Sequence, residues 1–150
     1  MLAVSEGITQ EHLHEVYSDP YIARVGHDHR PFAPVHHPLA TYLTATVNGV
    51  FAGAFLAIRT TSLDMDLHAL LKKDYVRHSR ELARLFLKWA FAQNVERVSA
   101  PVIEGFEAAK NYCLKLGFQY EGFKRDAVMQ NGKLKGVHLL GMTRQDWSKQ

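Results

Sequence analysis

Three groups of residues have the types and spacing to do chemistry. Asp64, Asp66 and His68 alternate along a run whose other positions are Leu63, Met65, Leu67, Ala69 and Leu71. Successive side chains of an extended strand point to opposite faces, so the two carboxylates and the imidazole share one face. A neighbouring carboxylate holds an imidazole in one tautomer and raises its pKa. His68 is therefore the first choice of general base and Asp66 the second; the same residues also read as the polar side of a half-exposed strand. The second group is basic: Lys72, Lys73, Arg77, Arg80 and Arg84 surround a helix start near Ser79. Cations around a helix N-terminus make an anion site, or simply a solvated helix start. The third group is Asn111-Tyr112-Cys113. Cys113, the only cysteine, is a weak acid of ordinary pKa about 8.5 and equally a small core residue.

Other chemistries find little support. His27-Asp28-His29 and His36-His37 supply metal-ligand types without a recognised zinc spacing. Neighbours such as His36 and His37 point oppositely in an extended chain, so a surface loop or subunit contact is expected there, and no metal. No Ser-His-Asp arrangement, P-loop or dinucleotide fingerprint is present. A net charge of +3 with pI near 9.0 is too mild to argue for nucleic acid, and no aromatics interleave with basic residues as on a single-strand binding face. No stretch approaches the roughly 18 apolar residues that span a bilayer, and the N-terminus lacks a basic region followed by an apolar core. A single cysteine forms no intrachain disulfide. A cytoplasmic protein without membrane or nucleic-acid partners is the expectation.

The elements that position these residues follow from periodicity. A chain of 150 residues suits one domain. Residues 9–17 read as a helix capped by Thr9 and stopped by Ser18-Asp19-Pro20. Residues 21–38 are irregular and hold three of the five prolines and four of the nine histidines. Residues 42–47 and 50–60 flank Asn48-Gly49, a strong hairpin signal, and 63–71 form a third strand. Residues 79–93 make the clearest helix, with Ser79 as N-cap and Leu82, Leu85, Phe86, Trp89 and Ala90 as its buried stripe. A strand at 96–103 is interrupted or ended near Pro101, and a helix at 106–116 stops at Gly117. Strands at 118–129 and 137–143 enclose a turn at 130–133. This order predicts an α/β (α+β) fold with a mixed sheet.

The run Lys115-Leu116-Gly117-Phe118-Gln119-Tyr120-Glu121-Gly122 resembles the last helix and strand of the GCN5-related N-acetyltransferases, the GNAT superfamily. The resemblance covers about residues 40 to 147 of a single GNAT-like domain, the first 40 being poorly defined, and extends to the ending Leu140-Gly141-Met142-Thr143-Arg144-Gln145-Asp146-Trp147. It implies a mostly antiparallel sheet flanked by helices and transfer of an acyl group from acetyl-CoA or another acyl-CoA to a small amine or protein amine. It places the cofactor against Leu71, Arg77, His78, Ser79, Arg80, Glu81, Leu82 and Asn111. Ser79 and Glu81 stand where the family has glycines that let backbone N–H groups approach the pyrophosphate.

In the last helix, the family's asparagine position is Phe106 and its acid tyrosine position is Cys113. Tyr112 is displaced by one residue, which turns a helical side chain by roughly 100°. Tyr112 and Cys113 are the two choices for an acid that protonates the leaving thiolate. The whole pattern is also similar to GNAT-like proteins of tailed phages. That likeness implies a second reading: a non-catalytic head-assembly or virion protein, in host cytoplasm or virion, with phage structural proteins as partners and residues 21–38 as contact surface. GNAT domains also pair through their C-terminal strands, which implies a homo-oligomer.

Overall fold

The computed structural model of the chain describes residues 1–29 and 31–150. The strands are β1 (Leu2–Glu6), β2 (Ala40–Val47), β3 (Val50–Arg59), β4 (Asp64–Leu71), β5 (Arg97–Ile103), β6 (Gln119–Gln130) and β7 (Lys133–Thr143). The helices are α1 (Gln10–Ser18), α2 (Pro20–Ala23), α3 (Ser79–Phe91), α4 (Glu107–Leu116) and α5 (Arg144–Ser148), with a 3₁₀ helix at Lys73–His78 leading into α3. Among the described residues these strands form one seven-stranded sheet in the order β1-β2-β3-β4-β5-β7-β6. Every pairing is antiparallel except β4 with β5. The mostly antiparallel α/β sheet read from the sequence is thus the one observed.

Local signals explain most boundaries. Asn48 and Gly49 both take left-handed backbone (φ 51° and 80°), the requirement of a tight hairpin turn whose twist matches the strands. Asn131 and Gly132 repeat this between β6 and β7 (φ 52° and 77°). The Thr9 hydroxyl accepts from the His12 amide and starts α1. Gly117, at φ 109°, ends α4 in the left-handed region.

The two faces of the sheet carry separate apolar clusters. One holds α3 and α4, with Leu82, Phe86, Ala90, Cys113 and Leu116 against strand residues including Phe55. The other packs Val16 of α1 and Ile22 of α2 onto Ala54, Leu56 and Leu70.

The structure corrects several expectations. The first strand, β1, pairs along β2 from Leu2 opposite Val47 to Glu6 opposite Leu43. Ser18-Asp19-Pro20 does not only stop α1: the Asp19 carboxylate accepts from the Tyr21 and Ile22 amides, and Pro20 opens α2. Leu85 is 37% exposed, because Ala83 and Leu87 complete the buried stripe in its place. Ser79 is the first residue of α3 rather than its cap; His78 is the N-cap and makes no side-chain capping bond. β5 runs through Pro101 without a break, pairing on one side with β7. A proline, lacking an N–H, is tolerated there because the opposite edge of β5 has no strand beside it at that position.

Candidate active site

The position of the site follows from a strand pair that parts. β4 and β5 are in register only for Asp64–Asp66 opposite Arg97–Ser99. Beyond that, residues 67–71 of β4 and 100–103 of β5 continue without pairing to each other. The sheet therefore opens in a V, whose two inner strand edges do not pair with each other. Ala69 is exposed although Leu67 and Leu71, two positions either side, are buried, so the surface opens at that point.

On the face of α3 and α4, the mouth of the V meets the start of α3. Lys72 is drawn away to the Glu15 carboxylate of α1 at 2.7 Å. Arg77 turns its Nε to the His78 ring at 3.2 Å. Among the described residues, Arg77, Arg80 and Arg84 have no carboxylate within ion-pair distance. An open basin lined by Arg84, Lys115 and Lys149 continues this basic surface between α3, α4 and the C-terminal end. The 3₁₀ helix occupies some amides that a glycine turn would offer: Tyr75 N–H donates to Lys72 and Ser79 N–H to Val76. The later first-turn amides of α3 have no side-chain cap, which fits an anion. The Glu81 carboxylate in that same turn opposes one. Leu71 and Leu82 are core residues, so their side chains face inward and only their backbone is available to a ligand. Asn111 is exposed on α4.

The two acid choices differ sharply. Cys113 is buried in the core, and burial pushes its thiol up to about 11. Tyr112, half-buried, donates its hydroxyl to the Ser79 carbonyl at 2.7 Å. Burial raises the phenol well above its usual range, against the opposing pull of that hydrogen bond and of nearby Arg80 and Arg84. Tyr112, Ser79, Arg80 and Arg84 are thus grouped at one place.

The base choices lie on the other face. Asp66 and His68 stand opposite Ile58 and Leu56 of β3, the latter within the α1 and α2 cluster. Asp66 opens into a cleft of about 430 Å³ between β4, β5 and the β6–β7 hairpin. Burial raises its carboxyl pKa, helped by Asp64 and opposed by Lys124 and Arg97. Asp64 is committed elsewhere: the Ser99 hydroxyl lies 2.9 Å from it and Arg97 Nε 3.4 Å. Arg97 also pairs with Glu121 at 2.6 Å. Glu121 sits in a register shift of β6 between Tyr120 and Gly122, and any side chain at Gly141 would collide with that pair.

Arg97, Ser99 and Lys124 were not foreseen in the sequence. The advance signals lay in their partners: Asp64 and Asp66 on one face of a strand, and the Glu121-Gly122 end of the C-terminal motif. One end of the histidine segment is engaged within the chain, while His36 and His37 are exposed. The Asp28 carboxylate accepts from the Asn131 and Gly132 amides at 3.0 and 2.9 Å, and His29 Nε2 accepts from Met129 N–H at 2.9 Å. Gln130, buried, donates to the Gly26 carbonyl at 2.8 Å. Residues 24–29 therefore clamp the β6–β7 turn beside the cleft. Among the described residues, no three His, Cys, Asp or Glu side chains are placed to hold a metal, and no helix is long and apolar enough to cross a membrane.

No protein-family model matches the sequence, and no curated protein matches it significantly. Solved structures do match. The spermidine N-acetyltransferase of Vibrio cholerae, in complex with CoA and spermine, superposes with a TM-score of 0.84 at 12% identity, covering 98% of this chain and 98% of that one. A candidate acetyltransferase of Acinetobacter baylyi reaches 0.78 at 18% identity, over 95% and 93% of the two chains. Another candidate acetyltransferase reaches 0.81 at 19% identity, over 99% and 86%. At such identities the likeness is one of fold: the chain has the fold of the GNAT N-acetyltransferases.

Proposed function

We propose that the chain is an acyl-CoA-dependent N-acyltransferase acting on a small amine. The observation that carries this reading is the parting of β4 from β5, with a basic helix start following β4 and the Asp66 cleft lying beside β5. Likeness to an enzyme that holds CoA and spermine supports both a CoA donor and an amine acceptor. When bound, acyl-CoA supplies an acyl group activated as a thioester. Arg77, Arg80, the Ser79 hydroxyl and the first-turn amides of α3 would hold its phosphates. The strand edge at 69–71 of β4, which does not pair with β5, would hydrogen-bond its amide-bearing arm, as a strand edge binds an extended ligand.

Asp66 would take a proton from the bound ammonium, since a carboxyl with a raised pKa is a better base toward it. The freed nitrogen lone pair would then form the amide bond as the carbon–sulfur bond breaks, the electron pair leaving with sulfur as thiolate. Tyr112 would give its proton to that thiolate, for which its hydroxyl must leave the Ser79 carbonyl, and would be reprotonated by the second proton that the nitrogen sheds, through water, as it becomes an amide. His68, two residues along the same face, would position the amine or relay its proton through water.

The test is isothermal titration with acetyl-CoA of the wild type and of Arg77→Ala plus Arg80→Ala, followed by amine-dependent CoA release. Micromolar binding that the double variant loses, with release on adding an amine, supports the reading. No heat at millimolar acetyl-CoA and no release with any amine overturns it. The particle-scaffold reading would then be pursued by co-sedimentation with assembled particles.

A further inference from the structure

The charges in the acceptor cleft do not balance as a polycation site would. Asp64 is engaged by Ser99 and Arg97, and Glu121 by Arg97. Two charged groups in the cleft wall are left over. The Asp66 carboxylate and the Lys124 ammonium make no hydrogen bond or ion pair among the described residues. Lys124 lies near enough to act on the Asp66 carboxyl, yet the two are not paired. The same wall carries the apolar side chains of Pro101, Val128, Val137 and Leu139 beside the mutually engaged Arg97, Ser99 and Glu121.

A ligand complementary to this wall carries one cation and one anion on an apolar body. Resting on the acyltransferase reading, we propose that the acceptor is a primary amine bearing a carboxylate, an apolar amino acid or the N-terminus of a short peptide, with Asp66 receiving its ammonium and Lys124 its carboxylate. A polyamine would leave Lys124 facing a like charge, which a selective site uses to reject a wrong partner. Here the fold neighbour and the side chains point to different substrates.

The experiment measures CoA release from acetyl-CoA with leucine, leucylglycine, leucinamide and spermidine, in wild type and Lys124→Glu. The expected result is that leucine or leucylglycine exceeds leucinamide by roughly tenfold or more in kcat/KM. In Lys124→Glu that ratio collapses and spermidine gains. The inference is overturned, with the acyltransferase reading intact, if leucinamide or spermidine serves the wild type as well as the better of leucine and leucylglycine does. It also falls if the ratio survives in Lys124→Glu. No release with any amine overturns both.

Discussion

The Tyr112 hydroxyl on α4 donates to the backbone carbonyl of Ser79 at the start of α3, at 2.7 Å. This one bond ties the helix that offers an acid to the helix start that would hold phosphate. Tyr112→Phe keeps the ring and deletes the bond. A typical hydrogen bond contributes about 1 kcal/mol net, so the melting temperature should fall by roughly 3 °C for a chain of this size. Acetyl-CoA should bind more weakly as the α3 start loosens, and kcat should fall by more than binding does. A variant with unchanged kcat would remove Tyr112 from the chemistry and leave it a structural strut.

Cys113 stands where the resemblance puts the acid, but it lies in the core with its thiol pushed up to about 11. Iodoacetamide at pH 8 should label it slowly in the native protein and quickly in urea. Cys113→Ala should cost about 1 kcal/mol for the lost packing and leave kcat within about twofold. Rapid native labelling, or a tenfold loss of kcat, would return the thiol to the site.

Much of this was legible in the sequence because its causes are local. Asn48-Gly49 and Gly117 mark their turns through backbone conformation alone, and the period of two places Asp64, Asp66 and His68 on one face of β4. Arg97, Ser99 and Lys124 were not legible, because three strands far apart in sequence bring them to Asp66. The register that aims Glu121 at Arg97 depends on a bulge between Tyr120 and Gly122, opposite Leu140 and Leu139, and on the missing side chain of Gly141. Asp28 meets Asn131 and Gly132 across a separation that no periodicity spans. Ser79 was misread as a cap because a 3₁₀ helix runs directly into α3, where the pattern suggested an open loop.

Glu81 is the residue of the α3 start that works against an anion. Its carboxylate interacts favourably with the helix dipole, by some tenths of a kcal/mol, but repels phosphate at the same place. Glu81→Gln should tighten acetyl-CoA binding by about fivefold, equivalent to ~1 kcal/mol, with a slight loss of thermal stability. The gain should shrink at high salt, as an exposed charge effect does. Titration at two ionic strengths would check it, and binding unchanged by Glu81→Gln would show that no anion approaches this turn.

The clamp on the β6–β7 turn titrates with Asp28. Amides of Gly132 and Asn131 hold its carboxyl below the ordinary 3.8. A depressed carboxyl stabilises the fold above its unfolded value, and the contribution is lost as pH falls through the folded value. The Asn131 and Gly132 amides should therefore stay protected from exchange down to pH 3.8 and lose protection below it. Asp28→Ala should remove that protection at neutral pH while the core strands keep theirs. Equal exchange in both proteins would mean that the turn holds itself.

Asp66 has the opposite sign. Burial, then Asp64, raise its carboxyl above the ordinary 3.8, so the folded protein binds that proton more tightly than the unfolded chain does. Stability from this group is greatest when it is protonated and declines as pH rises from 3.8 through the raised value. Above that value a partly desolvated charge remains in the fold. Asp66→Asn removes the charge with little change of shape. It should raise the melting temperature at pH 7, and the gain should vanish toward pH 3, where Asp66 is already neutral. The same variant should lower kcat/KM for an amine by roughly a hundredfold or more, the usual scale for a lost general base. Its pH–rate profile should lose the acid limb that wild-type Asp66 imposes. A variant that gains stability and keeps full activity would assign the charge to tuning the cleft, and the base would be sought at His68.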